Sequence, residues 1–156
     1  LLSGVFTVQL QAESNPALNT VTAYGEHYIE INAVRFDHAV HFSPEGAVRR
    51  WAATGISDIT SQQLRDIAGV AQTSVSALDF LDTPEGRPAK PDGAPEVILL
   101  GTGKQQHFLP AAITRPLLDM GIGVEAMSTH AAARTYNILM AEGRRVVAAL
   151  LPLESA

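Results

Sequence analysis

Val97-Ile98-Leu99-Leu100-Gly101-Thr102-Gly103-Lys104 is the stretch on which the fold turns. Four apolar residues in succession, closed by a glycine turn, read as a strand covered on both faces, since a strand with one wet face would alternate. Downstream, Pro110 suits the first turn of a helix that carries Ile113, Leu117 and Leu118 and stops at Gly121. Residues 123–127 form the next strand. Ser128 or Thr129 caps a helix running to Glu142, with Gly143 as its stop. Residues 146–151 are a second wholly apolar strand. The pattern is β-α-β-α-β with short connections, and its first two strands are expected to be parallel with right-handed crossovers.

Upstream the pattern changes to short strands joined by turns. Residues 5–10 and 20–24 are β-rich and separated by Ser14-Asn15-Pro16, and Tyr28, Ile29, Ile31, Val34 and Phe36 continue the series. Residues 39–42 and 47–51 flank Ser43-Pro44-Glu45-Gly46 as a hairpin. Thr60 and Gln63 have capping-box spacing, which places a short helix over 61–68. A strand is expected at 75–81, and residues 82–95, with four prolines and two glycines, form the clearest loop. The expected fold is α/β: a single domain over 1–156, β-rich in its N-terminal half and β-α-β-α-β in its C-terminal half.

At 156 residues there is no room for a second independent core. Hydrophobic residues make 46% and charged residues 17%, too apolar for a disordered chain. The longest apolar run, 146–153, is less than half of the roughly 20 residues a bilayer helix needs, so no transmembrane segment is expected. Eleven basic against 16 acidic residues leave a charge of −5, which argues against a nucleic-acid surface. Zero cysteines remove thiol catalysis, Fe–S clusters, disulfides and Cys-type zinc sites together. With no targeting pattern at the start of the chain, the expected location is the cytoplasm.

Gly101-Thr102-Gly103-Lys104 follows a strand and precedes a helix, where open α/β sheets bind ligands. It is not a phosphate loop: G-x-x-x-x-G-K-[ST] is absent, and Gln106 stands where the third glycine of G-x-G-x-x-G belongs. Two readings stay open, a tight structural turn with a positive φ at Gly101 or Gly103, and a loop that touches a ligand. His38 and His41, the only close histidine pair, point to opposite faces of a strand, and His27, His107 and His130 stand alone, so neither metal nor cofactor is expected. Ser128-Thr129-His130 reads as a cap rather than a dyad, and with no G-x-S-x-G no catalytic residue is assigned. Arg134-Thr135-Tyr136-Asn137 is more polar than a packed helix needs. These side chains either satisfy carbonyls near the end of the sheet or share a pocket with the glycine turn. The candidate cleft therefore comprises Gly101, Thr102, Gly103, Lys104, Arg134, Tyr136 and Asn137. In it Lys104 or Arg134 would neutralise an anionic small molecule that Tyr136 and Asn137 orient.

Val21-Thr22-Ala23-Tyr24-Gly25, Ile29-Glu30-Ile31-Asn32 and Val34-Arg35-Phe36 form one group of motifs. Leu99 to Gly103, Gly121 to Glu125, Arg134 to Leu139 and Glu142 to Val146 form another. Together, over about 20–152, they resemble a small α/β family that includes bacterial proteins of unknown function and the mitochondrial NADH dehydrogenase alpha-subcomplex assembly factor three. The resemblance implies a three-layer fold around a mixed sheet in which one strand runs against the rest, and it carries over no catalytic residue. It also implies a non-enzymatic binding protein that assists assembly of a respiratory membrane complex, through a protein partner and peripheral contact with the membrane complex. Trp51 and Phe108 are the expected anchors of such a surface. The alternative is a small-molecule-binding protein or enzyme using the cleft around Gly101 to Lys104.

Overall fold

The computed structural model describes residues 7–9, 18–70 and 93–153. The expected turn at 14–16, the strand at 75–81, residues 82–92 of the expected loop, and residues 5, 6 and 10 of the first strand lie outside the described residues. In the N-terminal half the strands are β1 (Thr7–Gln9), β2 (Val21–Gly25), β3 (Ile29–Ile31), β4 (Val34–Phe36), β5 (Val40–Phe42) and β6 (Arg49–Arg50). A 3₁₀ turn (Ile56–Asp58) and helix α1 (Ser61–Ile67) follow. The C-terminal half runs β7 (Val97–Gly101), α2 (Ala111–Asp119), β8 (Gly123–Met127), α3 (Thr129–Ala141) and β9 (Val146–Leu150).

Strands β1 to β4 form an antiparallel meander. The second sheet has the order β6-β5-β9-β7-β8, so the two apolar strands are central. Gly101 at the end of β7 pairs in parallel with both Met127 and Leu150. Strand β5 is antiparallel to β9 and to β6, and is therefore the one strand that runs against the rest of this mixed sheet.

Alternation along the central strands builds two cores. Ile98, Leu100, Ala149 and Leu151 pack with Leu64 of α1 and Leu117 of α2, while Leu99, Ala148 and Leu150 pack with Ala132, Ala133, Tyr136 and Met140 of α3. The second core also takes in Val21, Tyr24, Ile29 and Ile31 of the meander. The layers are thus α1 with α2, the mixed sheet, and α3 with the meander. Burial on both faces is why β7 and β9 contain no polar residue.

Local signals set the helix limits. Gln63 N–H donates to Thr60 Oγ1 at 3.1 Å and Thr60 N–H to Gln63 Oε1 at 3.3 Å, a complete capping box. Ser128 Oγ accepts from Ala131 N–H, and α3 ends where Gly143, at φ +77°, lets Arg144 N–H reach the Leu139 carbonyl at 3.0 Å. Pro110 stands one residue outside α2, as its N-cap with extended ψ of 141°, rather than in the first turn. Pro116 inside α2 has no N–H for the Ala112 carbonyl. Ser61 Oγ lies 3.3 Å from that oxygen and 2.7 Å from the Ile113 carbonyl, tying α1 to α2 where the helical ladder is broken.

Candidate functional site

Parallel strands in the order β9-β7-β8, with helices on opposite faces, place a crevice beyond the carboxyl ends of β7 and β9. A cleft of about 290 Å³ lies there, lined by Thr102, Gly103, Lys104 and His107, by Thr54 and Gly55 before the 3₁₀ turn, and by Pro152 after β9. Its loop is tightly tied to the protein. Thr102 N–H donates to Met127 O at 2.8 Å, and its hydroxyl donates to Gln105 O at 2.7 Å and accepts from His107 N–H at 3.1 Å. Thr129 Oγ1 accepts from Gly103 N–H at 2.9 Å and donates to Leu151 O at 2.7 Å. Gly103 O in turn accepts from Thr129 N–H at 2.8 Å. The first amide of α3 is therefore occupied by the turn itself.

The two glycines serve different ends. Gly103 sits at φ +96°, in the region glycine favours. Gly101 has no positive φ; a Cβ there would lie 2.8 Å from Thr129 Oγ1 and 2.9 Å from both Thr129 Cα and Leu150 Cδ2. The turn closes because one residue can bend and the other leaves room for α3. Thr129, buried at this junction, is the residue that sequence reasoning missed as an organiser of the site. The signal was a second hydroxyl beside Ser128, where one suffices for a cap.

Lys104 is exposed and has no ion-pair partner among the described residues. Arg134, Tyr136 and Asn137 do not line this cleft; they face the meander from the other side of the mixed sheet. Arg134 donates to Tyr24 Oη at 2.8 Å, and Tyr136 Oη donates to the Asn19 carbonyl at 2.7 Å. Asn137 brackets one residue of β2, accepting from Val21 N–H at 2.9 Å and donating to Val21 O at 2.8 Å. Burial pushes the Tyr136 phenol well above its usual range, so it stays a donor. The structure brings Thr102, Gly103 and Lys104 together at the cleft, and spends Tyr136 and Asn137 on backbone groups of Asn19 and Val21 and Arg134 on the Tyr24 hydroxyl.

The two expected anchors also part. Trp51 is 5% exposed and packs in the core under α1, whereas Phe108 is 83% exposed on the loop after Lys104. The Trp51 backbone N–H bonds to the Ala39 carbonyl at 2.9 Å, extending the β5–β6 hairpin, and its side chain packs in the first core with the indole Nε1 buried and without a hydrogen-bond partner among the described residues. Among the described residues no three histidine or carboxylate side chains gather as a metal centre.

His130 stacks on Tyr24 with ring centroids 3.8 Å apart and 24° between planes, and its Nε2 is buried without a hydrogen-bond partner among the described residues. Burial, with the Arg134 guanidinium nearby, holds its pKa below the ordinary value, and burial with Arg49 does the same to His41. The unfolded chain therefore binds protons that the folded chain refuses. The contribution of these two histidines to stability is expected to be fully present above about pH 6.5 and to be lost as pH drops through that ordinary value toward the lowered one. In urea unfolding across that range, His130→Phe, which keeps the stack, is expected to fall less than wild type. Parallel profiles would show that His130 does not contribute.

Residues 21–151 match the family described as protein of unknown function, DUF498/DUF598. An uncharacterized protein of Rhodobacter capsulatus is 45% identical over 64 residues, 41% of this chain and 52% of its own length. The NADH dehydrogenase [ubiquinone] 1 alpha subcomplex assembly factor 3 of Danio rerio is 42% identical over 57 residues, 36% of this chain and 33% of its own. This chain therefore spans only a third to about half of these curated relatives. Among solved structures, a Mth938-like domain from Bordetella pertussis is 57% identical with a TM-score of 0.73, covering 96% of this chain and 95% of that one. A Bordetella parapertussis protein is 54% identical with a TM-score of 0.70, covering 87% and 97%. The resemblance read from residues 20–152 is thereby borne out, as is the three-layer α/β fold.

Proposed function

Because the chain belongs to the DUF498/DUF598 family, we propose that it is a non-enzymatic binding protein that works through a partner polypeptide. The partner is a component of a respiratory membrane complex during its assembly, met from the cytoplasm and at the edge of the membrane. Kinship with the assembly factors of the NADH dehydrogenase alpha subcomplex supports the class of partner. The observation that carries the reading is Phe108, 83% exposed on a loop whose Thr102 hydroxyl and Gly103 amide are already engaged within the protein. What that loop offers outward is a large aromatic side chain, of the kind enriched at interfaces, beside a lysine that can steer an acidic partner. A small-molecule site is the second reading, favoured by the position of Lys104 in a cleft at the strand ends.

The test is to delete the protein from its source cell and measure assembled NADH dehydrogenase on native gels. Assembly is expected to fall, and to recover with wild type but not with Phe108→Ala. Full assembly without the protein would reject the proposal.

A further inference from the structure

A second cleft, about 480 Å³, adjoins the first and shares Thr54 and Pro152 with it. The two make one trough across the carboxyl end of the mixed sheet, from β6 at its edge to the loop after β7. Arg50 lines one part and Lys104 the other, with His27, His38 and His107 between and beside them, against the single carboxylate of Asp37. The Asp58 carboxylate, beside the trough, accepts from the Thr54 amide at 3.0 Å and the Thr54 hydroxyl at 2.6 Å, bonds that favour its charged form. Neither Arg50 nor Lys104 has an ion-pair partner among the described residues. The whole chain carries 16 acidic and 11 basic residues, whereas the lining of the trough itself carries two cations and one carboxylate.

We infer that the trough takes an extended acidic segment of the partner polypeptide. Its carboxylates pair with Arg50 and Lys104, and one large apolar side chain covers Phe108, which directly follows His107 of the lining. Phosphate ligands are disfavoured because the amides that would cradle them are spent: Thr102 N–H on Met127 O, Gly103 N–H on Thr129 Oγ1, and Thr129 N–H on Gly103 O. The charges left to a ligand sit on side chains in an open trough, which suits carboxylates presented along a chain. Two cations beside a carboxylate, on a protein of net charge −5, are too few for a nucleic-acid backbone. This inference rests on the proposed function and names the chemistry of its partner.

The test uses the purified full chain and fluorescence anisotropy. The probe is a short fluorescein-labelled peptide that alternates Glu and Ala around a central Phe. It is expected to bind, to weaken as salt rises, and to lose about tenfold in affinity on Arg50→Ala or on Lys104→Ala. Phe108→Ala should weaken it as well, while Arg115→Ala, exposed on α2 outside the trough, should not. Four outcomes overturn the inference: no binding, equal binding of the same peptide with Lys for Glu, tighter binding of oligo-dT or phosphatidylglycerol vesicles, or indifference to both cation variants. Loss of complex assembly in the deleted cell without peptide binding would overturn the trough alone. Peptide binding with intact assembly would overturn the proposed function instead.

Discussion

Gly101→Val is expected to lower the unfolding free energy by about 3 kcal/mol, the upper end of what overpacking costs, and the melting temperature by about 6–12 °C for a chain of this size. The added Cβ would meet Thr129 Cα and Leu150 Cδ2 at 2.9 Å, and neither can swing aside. One is the backbone at the start of α3; the other belongs to a side chain with no exposure in the second core. Gly103→Ala meets only ordinary contacts, 3.5 Å to Pro152 O and 3.6 Å to Leu153 O, so its cost is that of a left-handed φ, about 1–2 kcal/mol. Thermal and urea denaturation of both variants should rank Gly101 above Gly103. The reverse order would mean that α3 yields to the extra carbon and that the turn depends on backbone shape alone.

The second large effect should follow Asn137→Ala, at about 2–4 kcal/mol, because it strands both polar groups of Val21 at once. The loss should be local in origin. Hydrogen exchange is expected to accelerate in β2 and β3 well before it does in β7 and β9, since the meander hangs on α3 through Asn137, Tyr136 and Arg134 while the mixed sheet has its own ladder. Uniform acceleration across both sheets would show that the two layers open as one unit. Unchanged exchange at residues 21–25 would show that Val21, Tyr24, Ile29 and Ile31 hold the meander by apolar contact alone.

The site was half legible in the sequence. The turn at Gly101 and Gly103 could be read, but not that one glycine answers to φ and the other to the approach of Thr129, because the second cause is a neighbour 28 residues away in the chain. The polar run Arg134 to Asn137 could be read as purposeful, yet helical phase tells only which side chains share a stripe. Which surface that stripe meets depends on where the meander packs. Trp51 and Phe108 look alike as isolated aromatics, and only the tertiary packing puts Trp51 in the first core beside the β5–β6 hairpin and leaves Phe108 in water.

By itself the sequence determined the elements of the C-terminal half, the α/β class and the absence of cysteine chemistry. Those rest on interactions within a few residues: apolar runs, the Ser128 cap, the capping box of Thr60 and Gln63, and the stop at Gly143. Only the tertiary structure decided the strand order β6-β5-β9-β7-β8, the face on which Asn137 is spent, and the trough that joins Arg50 to Lys104. Pairing between Val40 and Leu150 has no local signal, since either strand could bond to any partner of matching length until the two cores are filled and choose among them.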